Sequence, residues 1–174
     1  ELDPSGGDLA SWYGLAHTPG LLSWAASHGR PGPGGALARH LQTLPGDLPV
    51  LLGPPSARAA RGALNLLTEQ ASSPLPAAAG QAVLVCDCGR LDADAPTRRL
   101  LATADLVLIV ARPVLADLAH LSEWLGERPA DPARVRLLLR GTGPYRASEI
   151  GGTLGVAAMG SLFPVFHVRA ETVH

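Results

Sequence analysis

The sequence contains no lysine, so all 14 of its basic residues are arginines. They are spread along the 174 residues and offset by 15 acidic residues, which gives a formal net charge of -1 at pH 7. A protein that binds nucleic acid through its phosphates normally clusters its basic residues on one face. The charge pattern therefore argues against bulk electrostatic binding of nucleic acid. The absence of lysine also excludes, within these residues, any active site that depends on a lysine amine.

Cysteine is scarce as well. Cys86 and Cys88 are the only two, and they flank Asp87. A disulfide framework needs more cysteines, and a Cys-x-Cys pair without a second pair is a poor zinc signal. We interpret both as buried or half-buried reduced thiols. The six histidines show no i, i+4 pair, which predicts surface positions and no metal site; they are His17, His28, His40, His120, His167 and His174.

Long apolar runs are absent. The longest spans residues 104–111 with Asp105 inside it, far short of the roughly 18 residues that span a membrane. No signal-peptide pattern opens the chain, so we predict a cytoplasmic protein, with peripheral association at the membrane or nucleoid left open. The chain opens at Glu1 without a Met and ends in a strand-like segment, which suggests a piece of a larger protein. A hydrophobic content of 47% predicts one domain over residues 1–174.

Apolar runs alternate with helical patterns along the chain. Strands are predicted at residues 48–53, 81–86, 105–111, 135–140 and 156–159, and helices at residues 56–70, 95–102, 114–126 and 146–154. Apolar runs without polar alternation are typical of parallel strands covered on both faces. The expected fold is therefore α/β, a three-layer sandwich with a mostly parallel central sheet.

Two segments are interpreted as connectors because of their Gly, Pro and polar content. One is residues 26–46, in which residues 36–44 could be helical, and the other is residues 72–80. Trp12, Tyr13 and Trp24 cluster around a Leu-rich segment near the start of the chain. We expect them to pack in the core rather than to form a partner-binding patch, since large aromatics are otherwise scarce.

Polar segments follow several apolar runs, where open parallel sheets bind their ligands. These are residues 1–8, 86–90 and 140–143. Asp87 at a strand tip and the backbone N–H of Gly89 suit a phosphate-bound Mg²⁺. The alternative is that Asp87 only caps the following turn. Three arginines could face a nucleotide or a dimer partner, or form a solvated helix start; they are Arg90, Arg98 and Arg99.

Four motifs follow one another along the chain: ELDPSGGDL at the start, VLVCDCGRL, ADLVLIV followed by Arg-Pro, and LGVAAMGSLFP. In this order they are similar to motifs of the MinD/ParA-like ATPases, and the chain resembles that family over most of its length. The best-matching part is residues 83–164, and the opening segment is nearest to actinobacterial members. The resemblance implies a P-loop NTPase-like (Rossmann-like) fold that binds ATP and Mg²⁺.

The resemblance also assigns roles. It implies that Asp3 orients the attacking water, that Asp87 is the Walker B aspartate holding Mg²⁺ through water, and that Gly89 is the switch II glycine. Arg140 and Gly141 stand at the base site, where the family usually has an Asn, and this departure affects adenine specificity.

The family's phosphate loop, with its two lysines, is expected about 20 to 30 residues before the first strand of this chain. Residues 29–35 cannot replace it, because they contain two prolines and no lysine. The single domain is therefore expected to lack its N-terminal strand, phosphate loop and first helix. Whether it is an ATPase depends on an upstream loop.

Two functions remain open. One is a nucleotide-dependent dimerisation switch, a homodimer with a protein partner in partition, division or pilus and secretion assembly. The other is a non-catalytic pseudo-ATPase scaffold of the same fold. An unrelated Rossmann enzyme is disfavoured, because residues 32–35 do not fit a Gly-x-Gly-x-x-Gly pattern.

Overall fold

The structure is a computed structural model that describes residues 1–27, 36–68, 75, 82–90, 92, 94–127 and 130–162. The chain divides into two compact units, Glu1–Thr103 and Ala104–His174. The Gly/Pro-rich residues 29–35 and, apart from Leu75, the predicted connector at residues 72–80 lie outside the described residues. No described helix has both the length and the apolar character needed to cross a membrane.

The first unit is built from short elements. They are α1 (Leu9–Tyr13), α2 (Leu21–Ser27), a 3₁₀ helix (Leu37–His40), β1 (Gln42–Leu44), β2 (Leu48–Val50), α3 (Ala57–Thr68) and α4 (Arg98–Leu101). Strands β1 and β2 form an antiparallel hairpin in which Leu44 lies opposite Leu48. The hairpin turns through Gly46 and Asp47, whose positive φ angles suit these residue types. Of the predicted connector at residues 26–46, residues 36–44 are thus a short 3₁₀ helix followed by a strand, so the helix considered there is only partly formed.

Helix α3 confirms the predicted helix, although Gln70 lies outside the described residues. The Ser56 hydroxyl accepts a hydrogen bond from the Ala59 N–H at 3.3 Å, as expected of an N-cap. Ala60, Leu64 and Leu67 are buried on one face at helical spacing. The core that α3 helps to form contains Leu2, Leu21, Trp24, Ala25, Ala63, Leu64, Leu67 and Leu100.

The expectation that three aromatics share the core is wrong for two of them. Trp24 is 1% exposed, whereas Trp12 is 71% and Tyr13 48% exposed. Helix α1 has five residues and buries only Ala10. Trp12 lies two residues beyond Ala10, about 200° around the helix, so it points away from the buried face.

His40 is not the surface residue that its spacing predicted. It is buried, and its ring nitrogens lie 2.8 Å from the Ser23 hydroxyl and 3.1 Å from the Ser27 hydroxyl. Hydrogen bonding offsets the cost of burying a polar ring. The histidine therefore ties the 3₁₀ helix to α2. Of the other described histidines, His120 is exposed and His17 is partly buried.

The strand predicted at residues 81–86 is not formed by its described part. Residues 82–89 have no assigned strand, and Val83 and Val85 are 90% and 94% exposed. Cys86 is exposed and Cys88 half-buried, so the interpretation of buried thiols is wrong for Cys86. An apolar run becomes a buried strand only when neighbouring strands pair with it, and composition does not supply those neighbours.

The second unit is a parallel α/β arrangement. Its elements are β3 (Val107–Ala111), α5 (Leu115–Gly126), a 3₁₀ turn (Pro132–Arg134), β4 (Val135–Arg140), α6 (Ala147–Leu154) and β5 (Ala157–Leu162). The sheet order is β3-β4-β5, with both pairs parallel. Val107 pairs with Val135, and a register shift interrupts the β4–β5 pairing at Leu137/Leu138. The predicted α/β class and parallel pairing are confirmed here.

The helices of this unit cover one face of its sheet. Alternate residues of β3 and β4 are buried, namely Val107, Ile109, Val135, Leu137 and Leu139. Leu121 and Trp124 of α5 and Ile150 of α6 are buried as well. On the opposite face Leu108 and Val110 are about half exposed, at 52% and 54%. Within the described part of this unit, the sheet has one helical layer rather than the two of the predicted sandwich.

Candidate functional site

The start of the chain runs between two other segments of the first unit. The Glu1 nitrogen donates to the Leu51 carbonyl at 2.8 Å, and the Leu2 N–H donates to the Asp87 carbonyl at 2.7 Å. These two bonds lie on opposite sides of the segment, since successive N–H groups of an extended chain alternate in direction. Asp3 is thereby brought beside the turn at residues 87–89.

Asp3 occupies a tight turn. Its carboxylate Oδ1 accepts a hydrogen bond from the Ser5 N–H at 2.7 Å, and its carbonyl accepts one from the Gly6 N–H at 3.1 Å. The carboxylate lies so close to Gly89 that a Cβ atom on that residue would overlap it. Gly89 also has a φ of +72°, which disfavours a side chain independently. Glycine is required there for two separate reasons.

Asp87 caps the turn that follows it. Its Oδ1 accepts a hydrogen bond from the Gly89 N–H at 3.0 Å. This is the structural alternative that the sequence left open, and it is present in this structure. The Asp87 side chain is nevertheless exposed. Asp3 is therefore adjacent in the fold to Asp87 and Gly89, although it is far from both in sequence.

The Glu1 carboxylate is a feature that sequence reasoning missed. Its Oε1 accepts hydrogen bonds from the Asp8 and Leu9 N–H groups at 2.8 and 2.9 Å, where α1 begins. Its Oε2 accepts one from the Gly53 N–H at 3.0 Å. An acidic residue shortly before a Gly-Gly-Asp helix start was the available signal, because carboxylates favour helix N-termini. The contact with Gly53 left no signal in the sequence.

Glycines surround this carboxylate. A Cβ atom on Gly7 would lie 2.6 Å from Glu1 Oε2 and 2.8 Å from the Gly53 Cα. The Gly7 N–H donates to the Pro54 carbonyl at 2.8 Å. Backbones can approach this closely only without side chains between them. The turn that carries Asp3 is thus held against residues 53 and 54.

Neither thiol beside Asp87 is activated. Desolvation, with further contributions from Cys86 and Asp87, raises the pKa of the Cys88 thiol to about 11. Desolvation also raises the pKa of Cys86. Thiolates are the nucleophilic and metal-binding form of cysteine. At neutral pH both side chains are therefore protonated.

The candidate base-site residues belong to the second unit. Arg140 is the last residue of β4 and is exposed, and Gly141 follows with a φ of +79°. The Gly141 N–H donates to the Leu162 carbonyl at 2.9 Å. Nearby, Gly143 lies directly against the Pro113 carbonyl, where a Cβ atom would overlap it. The loops after β3 and β4 therefore touch at the carboxyl edge of this sheet.

Charged side chains around these turns are partly committed to structural roles. Arg99 donates to the Thr68 carbonyl at 2.9 Å, at the end of α3, where a cation is favourable. Arg112 forms a two-point hydrogen-bonded pair with Asp117, at 2.8 and 2.9 Å. Hydrogen bonding with Arg112 lowers the pKa of Asp117. Arg99, one of the three arginines considered for a nucleotide, thus stabilises a helix end.

Among the described residues, no group of three or more His, Cys, Asp or Glu side chains could hold a metal ion by itself. Compared with models of known protein families, with curated proteins and with solved structures, the chain has no match.

Proposed function

We propose that this chain carries the switch residues of a MinD/ParA-like ATPase, a nucleotide-dependent dimerisation switch in partition, division or pilus and secretion assembly. The observation that carries the proposal is the contact of the Asp3 carboxylate with Gly89, two residues after Asp87. A water-orienting carboxylate and a Mg²⁺-holding carboxylate must both reach the terminal phosphate. Their adjacency is what such a site requires.

The carboxylate oxygens of Asp87 suit a Mg²⁺ ion that keeps its water ligands. Its Oδ1 is used by Gly89, and within the described residues its Oδ2 accepts no hydrogen bond. Protein-bound Mg²⁺ keeps several waters and takes one or two carboxylates together with phosphate oxygens. When bound, the ion neutralises phosphate charge. Asp87 would hold its water shell through the second oxygen.

Asp3 is suited to orient a water molecule. Its Oδ1 is fixed by the Ser5 N–H at 2.7 Å, which sets the direction of the carboxylate. Its Oδ2 accepts no hydrogen bond from the described residues. A positioned carboxylate oxygen can accept a proton from water as that water attacks. We assign this role to Asp3.

The proposal needs a phosphate-binding loop outside these 174 residues, because the chain has no lysine. It also requires the Gly89 N–H to leave Asp87 before it can meet a phosphate. Both points favour the second candidate, a pseudo-ATPase scaffold that keeps the fold without the chemistry. Under either candidate we propose a homodimer with a protein partner.

The two candidates are separated by dimerisation of the full-length protein with and without ATP and Mg²⁺. We expect light scattering after size exclusion to show a dimer only with both ligands. Asp87→Ala should abolish the response, whereas Asp105→Ala, an exposed aspartate before β3, should retain it. If wild type and Asp87→Ala have the same mass in ATP, the switch is excluded and the scaffold remains.

A further inference from the structure

The Glu1 carboxylate joins its own segment to two others in the first unit. It accepts hydrogen bonds from the start of α1 through Asp8 and Leu9, and from Gly53 after β2. Glu1 and Gly53 are 52 residues apart in sequence. One side chain therefore cross-links parts of the chain that local structure does not hold together.

The Asp3 turn lies within this cross-link. The turn connects Glu1 to α1. At its start the Glu1 nitrogen donates to the Leu51 carbonyl, and at its end the Glu1 carboxylate accepts from the Asp8 and Leu9 N–H groups. The Gly7 N–H donates to the Pro54 carbonyl at 2.8 Å. A Cβ atom on Gly6 would lie 2.7 Å from the Pro55 carbonyl oxygen. The turn is thus in close contact with residues 53–55 along its second half.

We infer that Glu1 is the positioning residue of the Asp3 site. Its carboxylate holds the turn closed against Gly53, so that the Asp3 side chain stays beside Gly89. This inference rests on the proposed function for its catalytic consequence, but the positioning itself is a property of the turn. A misplacement of about 1 Å at a catalytic group can cost on the order of 100-fold in rate.

A carboxylate is needed because both of its oxygens accept. In Glu1→Gln one acceptor becomes an NH₂ group, which would face either the two N–H groups at α1 or the N–H of Gly53. In Glu1→Asp the charge is kept, but the side chain is one methylene shorter and cannot span both sides. We expect the glutamine variant to lose the link and the aspartate variant to keep part of it.

The matched control is Asp8→Asn. Asp8 is an exposed carboxylate at the N-cap of α1, and its side chain makes no capping hydrogen bond. The control removes the same charge near the same helix start but leaves the cross-link intact. A general effect of lost negative charge would appear in both variants.

Amide hydrogen exchange on the folded full-length protein tests the positioning directly. In Glu1→Gln we expect exchange to accelerate by about tenfold or more at Leu9 and Gly53, and also at Gly6 and Gly7 in the turn, with no such change in Asp8→Asn. If Leu9 and Gly53 accelerate while Gly6 and Gly7 do not, the carboxylate caps a helix without holding the turn, and the inference is overturned. Unchanged exchange at all four sites would also overturn it.

Steady-state ATP hydrolysis tests the catalytic consequence. We expect Glu1→Gln to lower kcat by about tenfold or more with KM within about twofold, because an interaction needed only for orientation is lost. Partial rescue of kcat in Glu1→Asp is expected. A rise in KM with unchanged kcat would make Glu1 a nucleotide ligand instead. If the wild type hydrolyses no ATP, the proposed function fails, while the exchange result still decides whether Glu1 positions the turn.

Discussion

The two units of this chain are built in different ways. In the described part of Ala104–His174, three parallel strands and two helices repeat one local pattern, and each strand pairs with the next one in sequence. In Glu1–Thr103 the elements are short, and the polar site depends on bonds between distant residues, such as Glu1 with Gly53 and Leu2 with Asp87. Regular secondary structure organises one unit, and individual side chains and glycines organise the polar part of the other.

The largest expected effect comes from removing a buried tryptophan from the core of the first unit. Trp24→Ala should reduce the free energy of unfolding by about 3–5 kcal/mol, since it empties a fully buried site. Trp12→Ala should change it by less than about 0.5 kcal/mol, because Trp12 is 71% exposed. Urea unfolding followed by circular dichroism measures both. Equal effects would mean that the distinction between the two tryptophans is wrong.

A comparable pair tests the one-sided sheet of the second unit. Leu137 is fully buried in β4, whereas Leu108 of β3 is 52% exposed. Leu137→Ala should lower the free energy of unfolding by about 3 kcal/mol and Leu108→Ala by about 1 kcal/mol or less. The same urea titrations report these values. A large loss for Leu108→Ala would show that its face of the sheet is covered in solution.

The Cys88 thiol, at the polar end of the first unit, should react slowly with alkylating reagents. Because the pKa of Cys88 is raised from 9.0 to about 11, its thiolate fraction at pH 8 should be about 100-fold below that of an ordinary cysteine. Iodoacetamide labelling of the wild type over a pH series, with labelled Cys88 identified by peptide mass spectrometry, measures this. Half-maximal labelling near pH 9 would contradict the raised value.

The raised pKa of Cys88 also makes the free energy of unfolding depend on pH. Above the ordinary pKa, the unfolded chain loses the Cys88 proton while the folded chain keeps it. The stabilising contribution is therefore present below pH 9 and declines as the pH rises toward 11. Cys88→Ala in the Cys86→Ser background should flatten this part of the pH profile.

The smallest expected effect separates backbone strain from steric overlap as the reason why a position requires glycine. Gly14 and Gly89 both have positive φ, but a Cβ atom meets nothing within 4 Å at Gly14 and overlaps the Asp3 carboxylate at Gly89. Gly14→Ala should cost about 1 kcal/mol from backbone strain alone. Gly89→Ala should cost about 1 kcal/mol more, measured by urea unfolding. Equal costs would show that Asp3 moves aside without penalty.

Much of the regular structure was predictable. The patterns at residues 114–126, 135–140 and 146–154 predicted α5, β4 and α6 to within one residue at each end. Their periodicity is a local property, and local hydrogen bonding with one buried face is sufficient to form them. Local interactions alone could not form the strand predicted at residues 81–86, because a strand needs partners from elsewhere in the chain.

The sequence predicted which residues belong to the candidate site, but not that they lie in contact. Asp3, Asp87 and Gly89 were selected by their motifs and by resemblance to a family, but their contact results from the Leu2–Asp87 backbone bond. The Glu1 link to Gly53 and the burial of His40 between two serines had no sequence pattern at all. Each of these contacts joins residues whose separation along the chain carries no information about their distance in space.

The amino-acid sequence by itself determined the absence of lysine, the α/β alternation and the residues able to carry chemistry. The tertiary structure alone decided that Trp24 is buried while Trp12 is exposed, and that the Asp3 carboxylate lies against Gly89. The physical reason is that helical periodicity arises from neighbours within one turn. Burial and side-chain contact depend on segments that only folding brings together.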